Sequence, residues 1–194
     1  MTELISVDIE TTGLDPTRHE AWEIALVKVN QHDGDDPDFE PFECCFHMPV
    51  TLIGAEAKAL EVGDFFARYD RPSCGKAYDT TRNSIIHVDN ATAILFEQLK
   101  GSRLLGASVH FDAAFLSELF RRRGCEPTPW HHRHLDLGSF AGGLWGYGQP
   151  LGTAALQEQH VPNTEAHTAL GDARWNVEVW KEVCKGQLAM EADK

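Results

Sequence analysis

The chain has 194 residues, of which 42% are hydrophobic and 24% charged, and its formal net charge is −13. This length and composition predict one globular domain over residues 1–194, with a core from about residue 4 to residue 185, and exclude a largely disordered chain. No apolar run approaches the roughly 20 residues that a membrane-spanning helix needs, and the net acidity argues against gripping a long duplex by its phosphates.

Three strands are predicted in the first third of the chain. Leu4–Ile9 is apolar apart from two residues and ends at a Thr-Thr-Gly turn, while Trp22–Asn30 and Phe42–Met48 are also rich in apolar residues. Between the last two lies His32–Pro41, with five acids, one glycine and two prolines, which predict a solvated hairpin loop. A metal-binding acidic loop is the alternative, although the spacing lacks the regularity of an EF-hand.

The remaining two thirds alternate helices with short strands. The clearest helix is Asp112–Arg123, because Phe111, Phe115 and Leu119 recur four residues apart and Gly124 follows as a stop signal. Strands followed by alternating strands and helices predict an α/β sandwich with a mixed sheet. The other predicted elements are helices over Ala55–Glu61 and Asn90–Lys100, strands over Arg103–Ala107 and His134–Leu137, a glycine-rich loop over Gly142–Gly148, a helix from Thr153 and a last helix over Ala166–Lys185.

The cysteines predict a compartment. There are five of them, an odd number, and none has CxxC spacing, so neither a disulfide framework nor a zinc knuckle is predicted. We therefore expect a reducing environment and a cytoplasmic location.

Two carboxylates stand at the end of the first predicted strand, in the segment VDIETTGLDP. Asp8 and Glu10 are two residues apart, so on a strand they point to the same side and are neighbours. Side by side in an apolar strand they repel each other and lose hydration, a cost that a divalent cation offsets. The alternative is a pair of solvated acids at a fraying strand end.

Two later segments carry further candidates. Asp112 is placed in the first turns of the strong helix, near the C-terminal end of a strand, where sheets of this type collect ligands. Alternatively, it is an acid favoured there by the helix dipole. Asp172 lies beside an apolar helical stripe, and His167 would be roughly 140° away from it on the same helix. We therefore expect His167 at the entry of the helix, projecting over the site.

Together these residues predict metal-assisted chemistry at phosphorus. Four carboxylates favour hard cations, Mg²⁺ or Mn²⁺. Two such ions about 3.5–4 Å apart suit an in-line displacement at phosphorus. His167 is the predicted general base, because an imidazole titrates near neutral pH.

The order D-x-E, D, H-x(4)-D resembles the DnaQ-like, DEDD-type 3′→5′ exonuclease family in its His-containing branch. The match covers Ser6 to about Val183, with Asp112 in HFDAAFL and His167 in HTALGDA. The resemblance implies an RNase H-like fold, a five-stranded mixed sheet flanked by helices. It also implies two divalent cations, Mg²⁺ or Mn²⁺, and release of nucleoside 5′-monophosphates from the 3′ end of single-stranded or frayed DNA.

The resemblance also implies residues that contact the substrate. The segment after the first motif is similar to the one that lines the pocket for the terminal nucleotide. Before the second motif, Ser108 stands where many relatives carry Asn, a departure that affects hydrogen bonding around the terminal phosphate but removes no metal ligand. The candidate substrate-binding residues are Thr11, Thr12, Leu14, Ser108, His110 and Phe111.

Other functions stay open at this point. The same residues would serve an exoribonuclease of the RNase T or oligoribonuclease kind that trims short RNA. From another class, a non-catalytic nucleic-acid-binding module could retain the fold. Proofreading, DNA repair and nucleotide turnover would each use such an activity, and composition does not choose among them.

One loop offers two interpretations. Trp145 and Tyr147 lie among the glycines of AGGLWGYGQP. They predict either a mobile lid that stacks on bases or an ordinary loop whose aromatic side chains tuck into the core.

Overall fold

A computed structural model describes residues 2–29, 42–69 and 85–192, with side chains described as far as residue 185. It contains a five-stranded sheet in the order β3-β2-β1-β4-β5. Strand β1 is antiparallel to β2 and parallel to β4, so the sheet is mixed, as predicted. The predicted loop His32–Pro41 lies outside the described residues. The strands are β1 (Leu4–Thr11), β2 (Ala21–Val29), β3 (Glu43–His47), β4 (Arg103–Gly106) and β5 (Leu135–Asp136).

Helices cover both faces of this sheet. On one face, α3 and α4 pack on β1 through side chains such as Leu95 and Leu116, and on the other face α5 and α7 pack through Leu137 and Val179. The predicted RNase H-like arrangement of a mixed sheet flanked by helices is confirmed. The helices are α1 (Ala57–Val62), α2 (Phe65–Arg68), α3 (Val88–Leu99), α4 (Val109–Arg122), α5 (Leu137–Leu144), α6 (Thr153–Gln159) and α7 (Ala169–Ala192).

The alternation of side chains along β1 decides which face carries the acids. Ile5, Val7 and Ile9 enter the apolar layer below α3 and α4. The intervening residues therefore face α7, and the hydroxyl of Ser6 donates to the carbonyl of Ala173 on that helix at 2.8 Å. By the same period of two, Asp8 emerges towards the start of α7.

Helix α5 corrects the sequence prediction. A strand to Leu137 and a loop from Gly142 are predicted there, yet residues 137–144 are helical. Two glycines explain the difference: a Cβ on Gly138 would lie 2.2 Å from the carbonyl oxygen of Leu151, and one on Gly142 would lie 2.0 Å from that of Gln149. The glycines allow the helix to touch the next segment, so tertiary contact overrides their low helix propensity.

The cysteines are not all reduced. Among the described residues Cys44, Cys125 and Cys184 are free, whereas Cys45 is disulfide-bonded. The sequence predicts no disulfide framework and a reducing environment, and the bond at Cys45 departs from that expected environment. No helix in the described ranges is long and apolar enough to cross a membrane.

Candidate active site

Three carboxylates meet at the edge of the sheet. Asp8 and Glu10 come from β1, and Asp172 comes from the first turn of α7. One carboxylate oxygen from each of the three lies within 4.8 Å of the other two, and no other group of this kind occurs in the described part of the chain. This spacing and this set of oxygen donors fit a hard divalent cation.

Asp112 is placed beside this group rather than in it. It is buried in the first turn of α4, 5% exposed, and its carboxylate is not within the 4.8 Å group. Burial and the charges of Glu10 and Asp172 raise its pKa to about 8, against hydrogen bonds from backbone N–H groups, including that of Ile9. The Ile9 contact ties Asp112 to β1 and leaves its charge coupled to the cluster.

The cluster is electrostatically strained without a cation. Burial, followed by the charges of Asp112 and Asp172, raises the pKa of Asp8 well above its usual value. Burial and the charge of Glu23 raise the pKa of Glu10 to about 8. Like charges held together in a poorly solvated place disfavour ionisation, which is the condition that a bound cation would relieve.

These raised pKa values predict how stability depends on pH. A carboxyl group whose pKa is higher in the folded state binds its proton more tightly there, so its stabilising contribution is complete near pH 4 and is lost as pH rises through about 8. In a chelating buffer, we expect the melting temperature to fall by roughly 5 °C between pH 5.5 and 8.5. Glu10→Gln should flatten that slope, and saturating Mg²⁺ or Mn²⁺ should remove most of it. A melting temperature that rises over this range would contradict the electrostatic picture.

His167 lies next to the cluster, two residues before α7, at the entry of the helix as expected. Its backbone is left-handed, with φ of 63°, and its side chain is exposed. Its N–H donates to Asp172 Oδ2 at 2.8 Å, and the side-chain amide of Asn163 donates to Asp172 Oδ1 at 2.5 Å. The segment from Asn163 to His167 is therefore hydrogen-bonded to the Asp172 carboxylate. This places the exposed imidazole of His167 beside a candidate metal ligand.

Sequence reasoning missed a second charged cluster behind the first. Glu23 on β2 pairs with Glu10 in the sheet register and is fully buried. Burial alone would raise its pKa, but hydrogen bonds from His47, Ala169 and Arg68 outweigh burial and hold the pKa below its usual value. In the sequence, Glu23 could have been noticed as an acid inside the apolar run AWEIALV, which predicts a buried carboxylate. Nothing in the sequence around Arg68 singles it out.

Gly63 is a second missed residue. A Cβ built there would lie 2.9 Å from Glu10 Oε2 and 3.1 Å from the ring of Trp22. We expect Gly63→Ala to displace the Glu10 carboxylate and to weaken divalent-cation affinity roughly tenfold, with little effect on melting temperature. Calorimetric titration of the metal-free protein measures this. Gly143→Ala is the matched control, because nothing lies within 4 Å of a Cβ there; equal affinities in both variants would overturn the prediction.

The candidate residues after the first motif divide into two kinds. The hydroxyl of Thr11 donates to the carbonyl of Gly13 at 2.8 Å, and that of Thr12 accepts from the N–H of Glu20 at 3.0 Å. Both threonines are buried and hold the turn together, whereas Leu14 is 70% exposed. The turn therefore presents the leucine, not the hydroxyl groups, to the surroundings.

The candidates before Asp112 also differ from one another. Ser108 and His110 are exposed at the start of α4, and the imidazole of His110 lies 6.0 Å from that of His134, measured between ring centroids. Phe111 is half-buried against Phe115, with ring centroids 4.9 Å apart. Of the three, Ser108 and His110 are the ones accessible to a ligand.

The aromatic loop is attached to α6. The ring of Trp145 stacks on His160 with centroids 3.9 Å apart, and the hydroxyl of Tyr147 donates to Gln159 Oε1 at 3.1 Å. Trp145 also packs against the apolar layer below α7. These contacts favour the interpretation of an ordinary loop over that of a free lid.

Two sequence relatives span most of the chain. The oligoribonuclease of Coxiella burnetii is 27% identical over 180 residues, covering 90% of this chain and 88% of that protein. The ribonuclease T of Wigglesworthia glossinidia brevipalpis is 23% identical over 185 residues, covering 92% and 83%. No family model matches the chain.

Solved structures show the same fold. Escherichia coli exonuclease I in complex with a dT13 oligonucleotide matches with a TM-score of 0.67 and 16% identity. Its zinc-bound complex with single-stranded DNA matches with a TM-score of 0.66 and the same identity. The alignments cover 99% and 96% of this chain, which spans only 43% and 41% of the exonuclease I chains.

The fold is RNase H-like, and the acidic cluster lies at the edge of its sheet. In sequence the chain is similar over most of its length to an oligoribonuclease and a ribonuclease T, in agreement with the predicted resemblance to DnaQ-like 3′→5′ exonucleases. The sequence relatives and the structural neighbours are named as nucleases, which favours an enzyme over the alternative of a non-catalytic binding module.

Proposed function

We propose that the protein removes nucleoside 5′-monophosphates one at a time from the 3′ end of single-stranded or frayed DNA, with two divalent cations. The observation that carries this proposal is the cluster of Asp8, Glu10 and Asp172 beside the exposed His167. Carboxylates within reach of one cation, next to an accessible base, provide the parts that hydrolysis of a phosphodiester needs.

The metal ligands follow from the chemistry of the donors. Asp8, Glu10 and Asp172 would hold one cation, and Asp112, whose charge is coupled to theirs, would complete the set for a second. Raised pKa values mean that the carboxylates gain most from a cation that keeps them ionised. Mg²⁺ or Mn²⁺ would activate the attacking water and stabilise the charge that develops on the leaving oxygen.

His167 would act as the general base. It accepts the proton of the attacking water, the water oxygen bonds to phosphorus, and the bond from phosphorus to the 3′ oxygen of the preceding nucleotide breaks. The side chain is suited to this because it is exposed while its backbone is fixed by Asp172. Leu14, Ser108 and His110 are the accessible candidates for contact with the terminal nucleotide.

The net negative charge of this protein favours a substrate that is bound through few phosphates, such as a short single-stranded 3′ end. With 17 basic against 30 acidic side chains, many phosphate contacts are not expected. We therefore predict weak, distributive binding whose affinity falls only shallowly with salt. A steep salt dependence, which reports many phosphate contacts, would contradict this.

RNA is the second candidate substrate. Exonuclease I is named with DNA oligonucleotides, which supports DNA, but this chain spans less than half of it. The relatives that match nearly end to end are named oligoribonuclease and ribonuclease T, which supports trimming of short RNA. A role in proofreading or DNA repair depends on which substrate is preferred.

The experiment compares DNA and RNA of the same sequence. Single-stranded 12-nucleotide and dinucleotide substrates carrying a 5′ label are incubated with Mg²⁺, Mn²⁺ or EDTA, and the products are resolved by length. We expect a ladder shortened from the 3′ end, nucleoside 5′-monophosphates as products and no cleavage in EDTA. A higher kcat/KM on RNA would favour the second candidate, and intact substrate in every metal would contradict both.

A further inference from the structure

We infer that Glu23, acting with Arg68, is a positioning residue that fixes the backbone on the C-terminal side of His167. The inference rests on the proposed function, in which His167 is the general base. Neither Glu23 nor Arg68 belongs to the three-carboxylate group, and both contact the main chain of the loop that carries the imidazole.

Glu23 is held by three donors from three parts of the chain. Its Oε1 accepts from the Nε2 of His47 at 3.1 Å, and its Oε2 accepts from Arg68 Nη2 and from the N–H of Ala169 at 3.0 Å. The carboxylate is fully buried, so no solvent competes for these bonds. Glu23 does not belong to the three-carboxylate group, and its buried bonds to three separate segments make it a structural anchor.

Two of these donors lead to the residues around His167. The guanidinium of Arg68 also donates to the carbonyl of His167 at 2.6 Å through its other terminal nitrogen, Nη1. Ala169, whose N–H Glu23 accepts directly, is the first residue of α7. Glu23 thus holds the carbonyl of His167 indirectly, through Arg68. It holds the N–H of Ala169 directly.

The backbone at His167 needs such support. Its left-handed φ of 63° is unfavourable for a residue with a side chain and persists only where surrounding contacts impose it. Asp172 accepts its N–H, Arg68 donates to its carbonyl and Glu23 accepts the N–H of Ala169. These three hydrogen bonds fix the main chain from residue 167 to residue 169. The Cα–Cβ bond of His167 therefore has one direction relative to the site.

The geometry of the guanidinium makes arginine specific at this place. Its planar fork reaches the Glu23 carboxylate and the His167 carbonyl together, while the group lies 5.2 Å from the Trp22 ring centroid. A lysine would keep a positive charge beside Glu23 but offers a single ammonium that cannot bridge both oxygens in this way. Arg68→Lys therefore removes the bridge between the Glu23 carboxylate and the His167 carbonyl while it keeps the positive charge.

The test measures Arg68→Lys and Glu23→Gln against the wild-type protein. Steady-state kinetics on the preferred oligonucleotide give kcat and KM, calorimetry gives Mn²⁺ affinity, and amide hydrogen exchange of the metal-free protein reports on the backbone. We expect kcat to fall at least tenfold in both variants with KM changed less than threefold, and Mn²⁺ affinity changed less than threefold in Arg68→Lys, which keeps the charges around Glu10. The His167 and Ala169 amides should exchange faster while those of β1 keep their rates. Arg121→Lys is the matched control, because Arg121 also binds a carboxylate with two nitrogens, that of Glu118, but holds no loop.

Three outcomes would overturn the inference. Unchanged exchange at His167 and Ala169 in both variants would show that the contacts do not fix this backbone. Faster exchange throughout β1 as well would show that Glu23 and Arg68 stabilise the whole fold instead. A kcat within twofold of the wild type would show that the held backbone is not needed for the reaction. If the wild-type protein cleaves no oligonucleotide, the proposed function fails, and hydrogen exchange still decides whether the backbone is held.

Discussion

Replacing Asp8 by Asn is expected to reduce nuclease activity by at least ~10³-fold and, at the same time, to raise the melting temperature of the metal-free protein at pH 8. The activity is lost because a central ligand of the proposed cation is removed. The stability increases because burial, followed by repulsion from Asp112 and Asp172, raises the pKa of Asp8, and a neutral asparagine avoids both costs. Few substitutions in a protein interior combine opposite effects of this kind.

Activity assays in Mg²⁺ and thermal unfolding in EDTA check the two halves of this prediction. Asp89→Asn is the control, since Asp89 is an exposed first-turn acid of α3 and lies outside the three-carboxylate group. Its activity should be unchanged and its stability altered by no more than about 0.5 kcal/mol. An Asp8→Asn protein that is inactive but less stable than the wild type would mean that Asp8 supports the fold and that repulsion in the cluster is small.

Replacing His167 should lower kcat by about 10²–10⁴-fold, the range that a general base contributes. Metal affinity should be nearly unchanged, because the imidazole does not belong to the carboxylate group. His167→Ala alone would be ambiguous, since alanine is unfavourable at a φ of 63°. His167→Asn resolves the ambiguity, because asparagine tolerates this conformation but cannot accept the proton.

Kinetics at saturating oligonucleotide and Mn²⁺ titrations of both variants check this prediction. Matching losses of kcat with intact metal binding are expected. If His167→Asn retains the rate while His167→Ala loses it, the backbone conformation matters and the imidazole is not the base. If both retain the rate, another group accepts the proton.

The sequence predicted most of the fold because local patterns carried it. The apolar run Leu4–Ile9 predicted a strand with Asp8 and Glu10 on one side, and the structure has a strand over Leu4–Thr11 that brings both acids to Asp172. The i, i+4 spacing of Phe111, Phe115 and Leu119 predicted a helix over Asp112–Arg123, and the structure has it over Val109–Arg122. Both signals depend on residues that are neighbours along the chain, which is why they can be read without a structure.

Tertiary contacts decided the rest. Helix α5 forms where its glycines predict a loop, because they let it approach the carbonyl oxygens of Gln149 and Leu151. In the same way, the assignment of Glu23 depends on Arg68, His47 and Ala169.

The sequence by itself therefore determined the class of fold, the acids of the candidate metal site and the order of their motifs. The tertiary structure alone decided that Asp112 stands beside the three-carboxylate group and that Glu23 and Arg68 hold the loop of His167. The physical reason is separation along the chain: Arg68 meets the His167 carbonyl across 99 residues, and Glu23 meets the Ala169 amide across 146. No local periodicity encodes contacts between segments so far apart.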